Sequence, residues 1–148
     1  MKNFFFLILG LVIILGSIFL FLKQPVSRGE QVKFVKINDA SIQVEVVRTP
    51  EARNQGLSGR EVLPEGTGML FVFEKSGQYG FWMKEMNFAI DIVWIAESFE
   101  VASIEHEVAP ETFPKIFYPN QAVKYVLELP AGTSRNIGID TGSIVYFE

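Results

Sequence analysis

Nineteen consecutive residues, Phe4 to Leu22, carry no charge, and this run decides how the rest of the chain can be used. A hydrocarbon core about 30 Å thick is crossed by about 20 helical residues at about 1.5 Å each, whereas the apolar region of a cleavable signal is shorter, about 7–15 residues. Gly10, Gly16 and Ser17 interrupt the run in ways a lipid-embedded helix tolerates. The flank Lys23-Gln24-Pro25-Val26-Ser27 offers no small-x-small cleavage site, and a chain without cysteine has no Cys to carry a lipid. Residues 1–23 are therefore expected to be a retained transmembrane anchor. Gly10 and Gly16 stand six apart, so they do not form the Gly-x3-Gly helix-pairing motif.

Lys2 and the α-amino group precede the run, while Lys23, Arg28, Lys33 and Lys36 follow it, a bare count that would hold the domain inside. Long domains, however, translocate largely regardless of charge, and a helix that opens a chain commonly acts as an export signal. The expected arrangement is a single-pass membrane protein with an extracytoplasmic domain. The absence of cysteine fits either side.

From Gln24 onward 125 residues remain, enough for one ordinary core. Residues 24–30 hold Pro, Ser and Gly without periodicity and read as a linker, leaving residues 31–148 as the folded domain. After the anchor there are eleven Lys or Arg against seventeen Asp or Glu, a formal charge of −6, with the acids scattered. Nucleic acid, which draws on clustered basic residues, is not an expected partner, and neither is an anionic lipid surface.

Strand signals dominate the domain. Val32 to Ile37 and Ser41 to Val47 are β-branched runs around Asn38-Asp39-Ala40, a hairpin pattern. Thr49-Pro50-Glu51 opens a two-turn helix over Pro50 to Gln55. Thr is the N-cap, Pro takes the first helical position and Glu the positive dipole end, with Gly56 as the stop. Met69 to Phe73, Tyr79 to Met83, Ile90 to Ile95, Val101 to Glu107, Val123 to Leu129 and Ser143 to Phe147 complete eight strands, and Gly132 to Ile137 adds a helical turn closed by Gly138. The predicted fold is mainly β: a compact antiparallel sandwich or barrel with one or two short helices. Ala109 to Gln121 is a long Pro-rich irregular segment with Phe113, Ile116, Phe117 and Tyr118, a length uncommon unless the loop covers something.

Chemistry-bearing side chains are few. Cysteine is absent and His106, between Glu105 and Glu107, is the one histidine, which excludes structural zinc sites and thiol catalysis; no metal or cofactor is expected. Neither a Gly-x-Ser-x-Gly elbow nor a phosphate loop occurs. Asp91 stands out inside Ile90-Asp91-Ile92-Val93-Trp94-Ile95, on the face of Val93 and Ile95. A carboxylate there must be paired, bonded to backbone amides, or placed at a strand end facing a cleft. Arg60 and Lys84 are candidate partners, in an internal salt bridge or in a ligand site. Glu128 alternates with Lys124 and Val126 as a solvent-facing acid would, and only across a cleft from Asp91 could it share acid–base work on a glycoside. Phe71, Phe73, Phe81, Trp82 and Trp94 read as core before they read as a sugar-stacking platform.

The words Gly56-Leu57-Ser58-Gly59-Arg60, Gly68-Met69-Leu70-Phe71-Val72-Phe73, Phe81-Trp82-Met83-Lys84, Ile90-Asp91-Ile92 and Val126-Leu127-Glu128-Leu129 resemble, in order and spacing, the domain of unknown function 192 family of bacteria and archaea. The resemblance runs from about Val35 to Phe147. It implies a compact, mostly antiparallel β domain, often behind a signal or anchor, and it implies no activity. Gly56, Leu57, Arg60, Trp82, Met83, Lys84, Asp91 and Glu128 match the family's words. Ser58 stands where Met is usual and Met86 where many members have Thr, which weighs against carrying over a hydroxyl-dependent mechanism.

Three functional readings follow. The leading one is an exported, membrane-tethered binding module for a small polar or carbohydrate ligand, its cleft lined by Arg60, Trp82, Lys84 and Asp91, with Glu128 a further candidate and Ala109 to Gln121 as a flap. The second is a glycan hydrolase using Asp91 and Glu128, and the third a purely structural or assembly domain.

Overall fold

The computed structural model describes residues 33–148; the expected anchor and linker, residues 1–30, lie outside them. Among the described residues no helix is long and apolar enough to cross a membrane. Strands β1 (Lys33–Ile37), β2 (Ala40–Val47), β3 (Thr67–Gly77), β4 (Ile90–Ile95), β5 (Val101–Val108), β6 (Val123–Pro130) and β7 (Val145–Phe147) form one sheet in the order β5-β4-β6-β3-β2-β1-β7. Helix α1 (Pro50–Gln55) follows β2, and α2 (Thr133–Asn136) follows β6.

The hairpin, the α1 capping and the turn after β6 form as predicted. Thr49 Oγ1 accepts from Ala52 N at 3.2 Å, and Gly56, at φ 48°, ends the helix. A β-carbon at Gly56 would lie 3.3 Å from the Phe71 ring, so glycine also lets the helix end settle onto the sheet. Two expectations are corrected, and of the sandwich-or-barrel alternatives the second holds in part: the architecture is a half-barrel made from one sheet. It is mixed rather than antiparallel, because the α1 connection lays β3 parallel to β2, with Val44 beside Gly68 and Val46 beside Leu70. The run Tyr79 to Met83 is no strand of this sheet, since among the described residues its only ladder contact is a bridge from Phe81 to Phe117.

Both faces of the central strands are covered. The concave face of Val35, Ile42, Val44, Leu70, Val93, Leu127, Leu129 and Val145 closes on itself as one core. On the opposite face Met69, Phe71, Ile92, Trp94, Val126 and Val108 at the end of β5 pack under Leu57, Met83 and Phe117 from the connections. Strands buried on both sides explain the near-continuous apolar runs of β4 and β6.

Asp91 sits on the concave face at the end of the barrel, fully buried. A bulge in the β4–β5 ladder puts it opposite both His106 and Glu107. Its Oδ1 accepts from Glu107 N at 2.8 Å and Gly132 N at 3.0 Å, and its Oδ2 from Ser134 N at 2.8 Å and Ser134 Oγ at 2.7 Å. Because the Ser134 hydroxyl proton goes to the carboxylate, His106 Nδ1, 2.8 Å from Ser134 Oγ, is the donor to that oxygen. The expected partners Arg60 and Lys84 are not used; backbone amides are, so the carboxylate pins α2 and the β5 bulge over the barrel end. Removing it strands those donors in an apolar interior. Asp91→Ala is expected to cost about 3–5 kcal/mol, and Ser134→Ala about 1 kcal/mol, in urea unfolding. Equal, small losses in both variants would show that the donors find other partners.

Candidate functional site

β6 crosses the middle of the sheet with Glu128 directly opposite Met69 on β3 and Ile92 on β4. Directly opposed residues share a face, so Glu128 lies on the outer face, where its row continues to Glu45 on β2 and Glu105 on β5. Asp91, next to Ile92 along β4, points the other way. The two carboxyls are therefore on opposite sides of the sheet, and the paired-carboxylate hydrolase geometry does not form. Nor is Glu128 the solvent-facing acid that the alternation suggests, for only 5% of its surface is exposed. The lone lysine on β6, Lys124, lies at the end of the strand where it reaches Glu97, and the rest of that face is roofed.

The roof has two parts. The first is α1 with residues 56–60; the second is the run Tyr79 to Asn87. They are stitched together by Gly59 N donating to Glu85 O (2.8 Å), Ser58 Oγ to Lys84 O (2.8 Å) and Asn87 Nδ2 to Arg60 O (2.8 Å). Between roof and sheet lies a pocket of about 230 Å³. Glu128 forms part of its floor with Phe71, while Phe81, Trp82, Tyr79, Phe73 and Met86 are on the walls and Asn54, Gln55 and Ser58 supply polar groups. Phe81 meets Phe71 edge to face at 4.9 Å, and Phe73 stacks on Tyr79 at 3.5 Å with the Arg53 guanidinium 4.9 Å above its ring. Arg53 Nη1 also donates to Val72 O at 3.1 Å, which holds that stack to β3.

Glu128 Oε2 is buried and finds no hydrogen-bond partner among the described residues. Burial pushes this carboxyl up to about 8, against a smaller downward pull from the Arg60 guanidinium. Arg60 is committed elsewhere, its Nη2 donating to Glu45 Oε2 at 2.7 Å. At neutral pH the pocket floor thus carries a protonated acid, a hydrogen-bond donor as well as an acceptor.

Of the five candidate site residues, Trp82 and Glu128 meet in the pocket and Arg60 acts on Glu128 from beside it. Lys84 is exposed near Glu85 and Asp91 belongs to the other core, so neither lines the pocket. Sequence reasoning missed Arg53, Asn54, Gln55, Tyr79 and Met86. The capping signal located α1, but nothing local says which strand a helix will cover. Among the described residues no cluster of three or more His, Asp or Glu is arranged to hold a metal ion.

These features define a class: a half-barrel β domain whose outer face carries a roofed aromatic pocket over a single protonated carboxyl. The chain belongs to the domain of unknown function 192 family, described as an uncharacterized ACR, and matches it over residues 33–147. Its fold is similar to a crystal structure from Sinorhizobium meliloti 1021 described as a proposed transcription regulator, with 28% identity and a TM-score of 0.75 over 80% of this chain and 95% of that one. It is also similar to a protein of unknown function from Novosphingobium aromaticivorans DSM 12444, with 25% identity and a TM-score of 0.76 over 83% and 89%. No curated protein matches the chain.

The Glu128 shift has a measurable sign. Below its ordinary value of 4.5 the folded and unfolded chains both hold the proton. Between there and about 8 only the folded chain does, so stability falls as pH rises, and above about 8 the loss is complete. The full swing is on the order of 4–5 kcal/mol. Glu128→Gln is expected to flatten this part of the stability–pH curve and to exceed the parent in stability near pH 8. Parallel curves for the two proteins in urea unfolding at about pH 5 and pH 8.5 would mean that the folded carboxyl is charged.

Proposed function

We propose that this chain is a membrane-anchored, extracytoplasmic binding module that takes a small uncharged polar ligand, of the monosaccharide kind, in the pocket over Glu128. The observation that carries this reading is the buried Glu128 Oε2, without a partner among the described residues, at the floor of an aromatic pocket. A buried polar atom left unpaired is costly, and a ligand oxygen that accepts from the protonated carboxyl relieves that cost. The pocket is smaller than the about 300–1,000 Å³ that holds drug-sized molecules, which suits a single ring. Trp82, at the rim and 47% exposed, offers a flat apolar face to such a ring. The protonated floor acid gives a cation no charge to pair with, and the Arg53 guanidinium at the wall opposes one.

The description of the Sinorhizobium meliloti protein suggests nucleic acid as an alternative partner. The excess of acids over bases in this chain does not favour it.

The test uses full-length protein in detergent and a panel of neutral monosaccharides that includes N-acetylglucosamine, read by tryptophan fluorescence and calorimetry. A panel member is expected to bind, with Trp82→Ala weakening it about tenfold and Glu128→Leu abolishing binding. Glu128→Gln, which still donates, retains binding. Affinity for a neutral ligand should fall about fivefold between about pH 8 and pH 9 in the parent and stay flat in Glu128→Gln, whereas a cationic ligand would bind more tightly as the carboxyl ionises. Binding indifferent to both Trp82→Ala and Glu128→Leu would refute the site.

A further inference from the structure

We propose that the pocket is the end position of a longer site for a neutral oligosaccharide chain, whose next units run from Trp82 across Ile116 and Tyr118 on the Ala109 to Gln121 flap; this rests on the pocket reading above.

The flap is joined to the pocket wall, not merely near it. Phe81 N donates to Phe117 O at 2.9 Å and Phe117 N to Phe81 O at 2.8 Å, a two-way antiparallel bridge. In such a pair the residues on either side of the bridge also oppose each other and point to the other side. With Phe81 and Phe117 packed inward, Trp82 is placed opposite Ile116, and Gly80 opposite Tyr118, on the outer surface. Glycine is required at position 80, where a β-carbon would lie 2.6 Å from both Ile116 Cγ2 and Tyr118 Cε1. Because that atom is missing, Ile116 and the Tyr118 ring settle onto a residue that itself lines the pocket.

The resulting strip is apolar and open to solvent, with Trp82 47%, Ile116 38% and Tyr118 59% exposed. Fixed aromatic faces in water, continuous with a ligand pocket, mark a contact surface rather than unused core. They are held before any ligand arrives. Phe117 and Pro119 are buried, and the Lys115 ammonium lies 4.2 Å from the Phe117 ring centre on the same loop. A glycan suits the strip better than a peptide. Sugar rings stack flat on Trp and Tyr faces, and such faces are what this strip exposes beside a neutral donor pocket.

The experiment compares N-acetylglucosamine with its β-1,4-linked tetramer on full-length protein in detergent. The acetamido carbonyl of this sugar is an acceptor for the Glu128 hydroxyl. The tetramer is expected to bind at least about tenfold more tightly than the monomer, and Tyr118→Ala to remove that advantage, lowering tetramer affinity by far more than monomer affinity. Glu128→Leu should abolish binding of both. A tetramer no tighter than the monomer, or a tetramer advantage that survives Tyr118→Ala, overturns the extension and leaves the pocket reading standing. If an uncharged peptide such as penta-alanine, and not the tetramer, depends on Tyr118, the strip is a peptide surface and the proposal is wrong. Failure of every neutral sugar to bind ends both readings.

Discussion

A carboxyl group taken out of water must either be surrounded by donors or give up its charge, and this fold contains one example of each solution on the two faces of the same sheet. Asp91 keeps the first. Three backbone N–H groups and the Ser134 hydroxyl converge on it, so one side chain ties the β5 bulge and the start of α2 to the end of the barrel. Glu128 shows the second, with its charge suppressed by burial and one oxygen without a partner. Which solution each acid adopts follows from what lies above it. Asp91 is at a strand end, where turning backbone exposes its amides; Glu128 is at mid-strand under a roof, where neighbouring backbone groups are consumed by the ladder.

The contrast separates a structural acid from a functional candidate more sharply than burial alone. Both are buried and both match the family's words. One is fully satisfied and its chemistry is complete within the protein. The other is a donor facing a pocket, which is an unfinished interaction. The roof over it depends on cross-links that none of its segments makes alone: residues 58–60 hold residues 84–87, Arg53 holds the Phe73–Tyr79 stack, and the flap holds Phe81. A pocket built from interlocked connections on a rigid sheet places its polar groups without relying on any single loop.

Arg60 illustrates why matching residues do not reveal their roles by identity alone. An arginine near two acids could neutralise either. It donates to Glu45, at the β2 end of the row, and so reaches Glu128 only through space. The burial of Glu128 then outweighs that attraction, and the pocket floor stays neutral rather than anionic.

Much of the local structure was legible in the sequence because its causes are local. Thr49, Pro50 and Gly56 specify α1 by capping and φ preference, alternation in β2 and the turn at Asn38-Asp39 specify the first hairpin, and Asp91 announces that something must satisfy it. The motif words were sufficient to name the family. What satisfies Asp91, which face of β6 is covered, the parallel placement of β3 and the conversion of Tyr79 to Met83 from strand to pocket wall were decided only by tertiary structure. Alternation along β6 marks two faces, but whether the Glu128 face meets water depends on a helix some seventy residues earlier and a loop some forty residues earlier packing over it. Caps and turns act within a few residues, whereas burial, and with it the charge state of a carboxyl, is set by whatever the folded chain brings alongside.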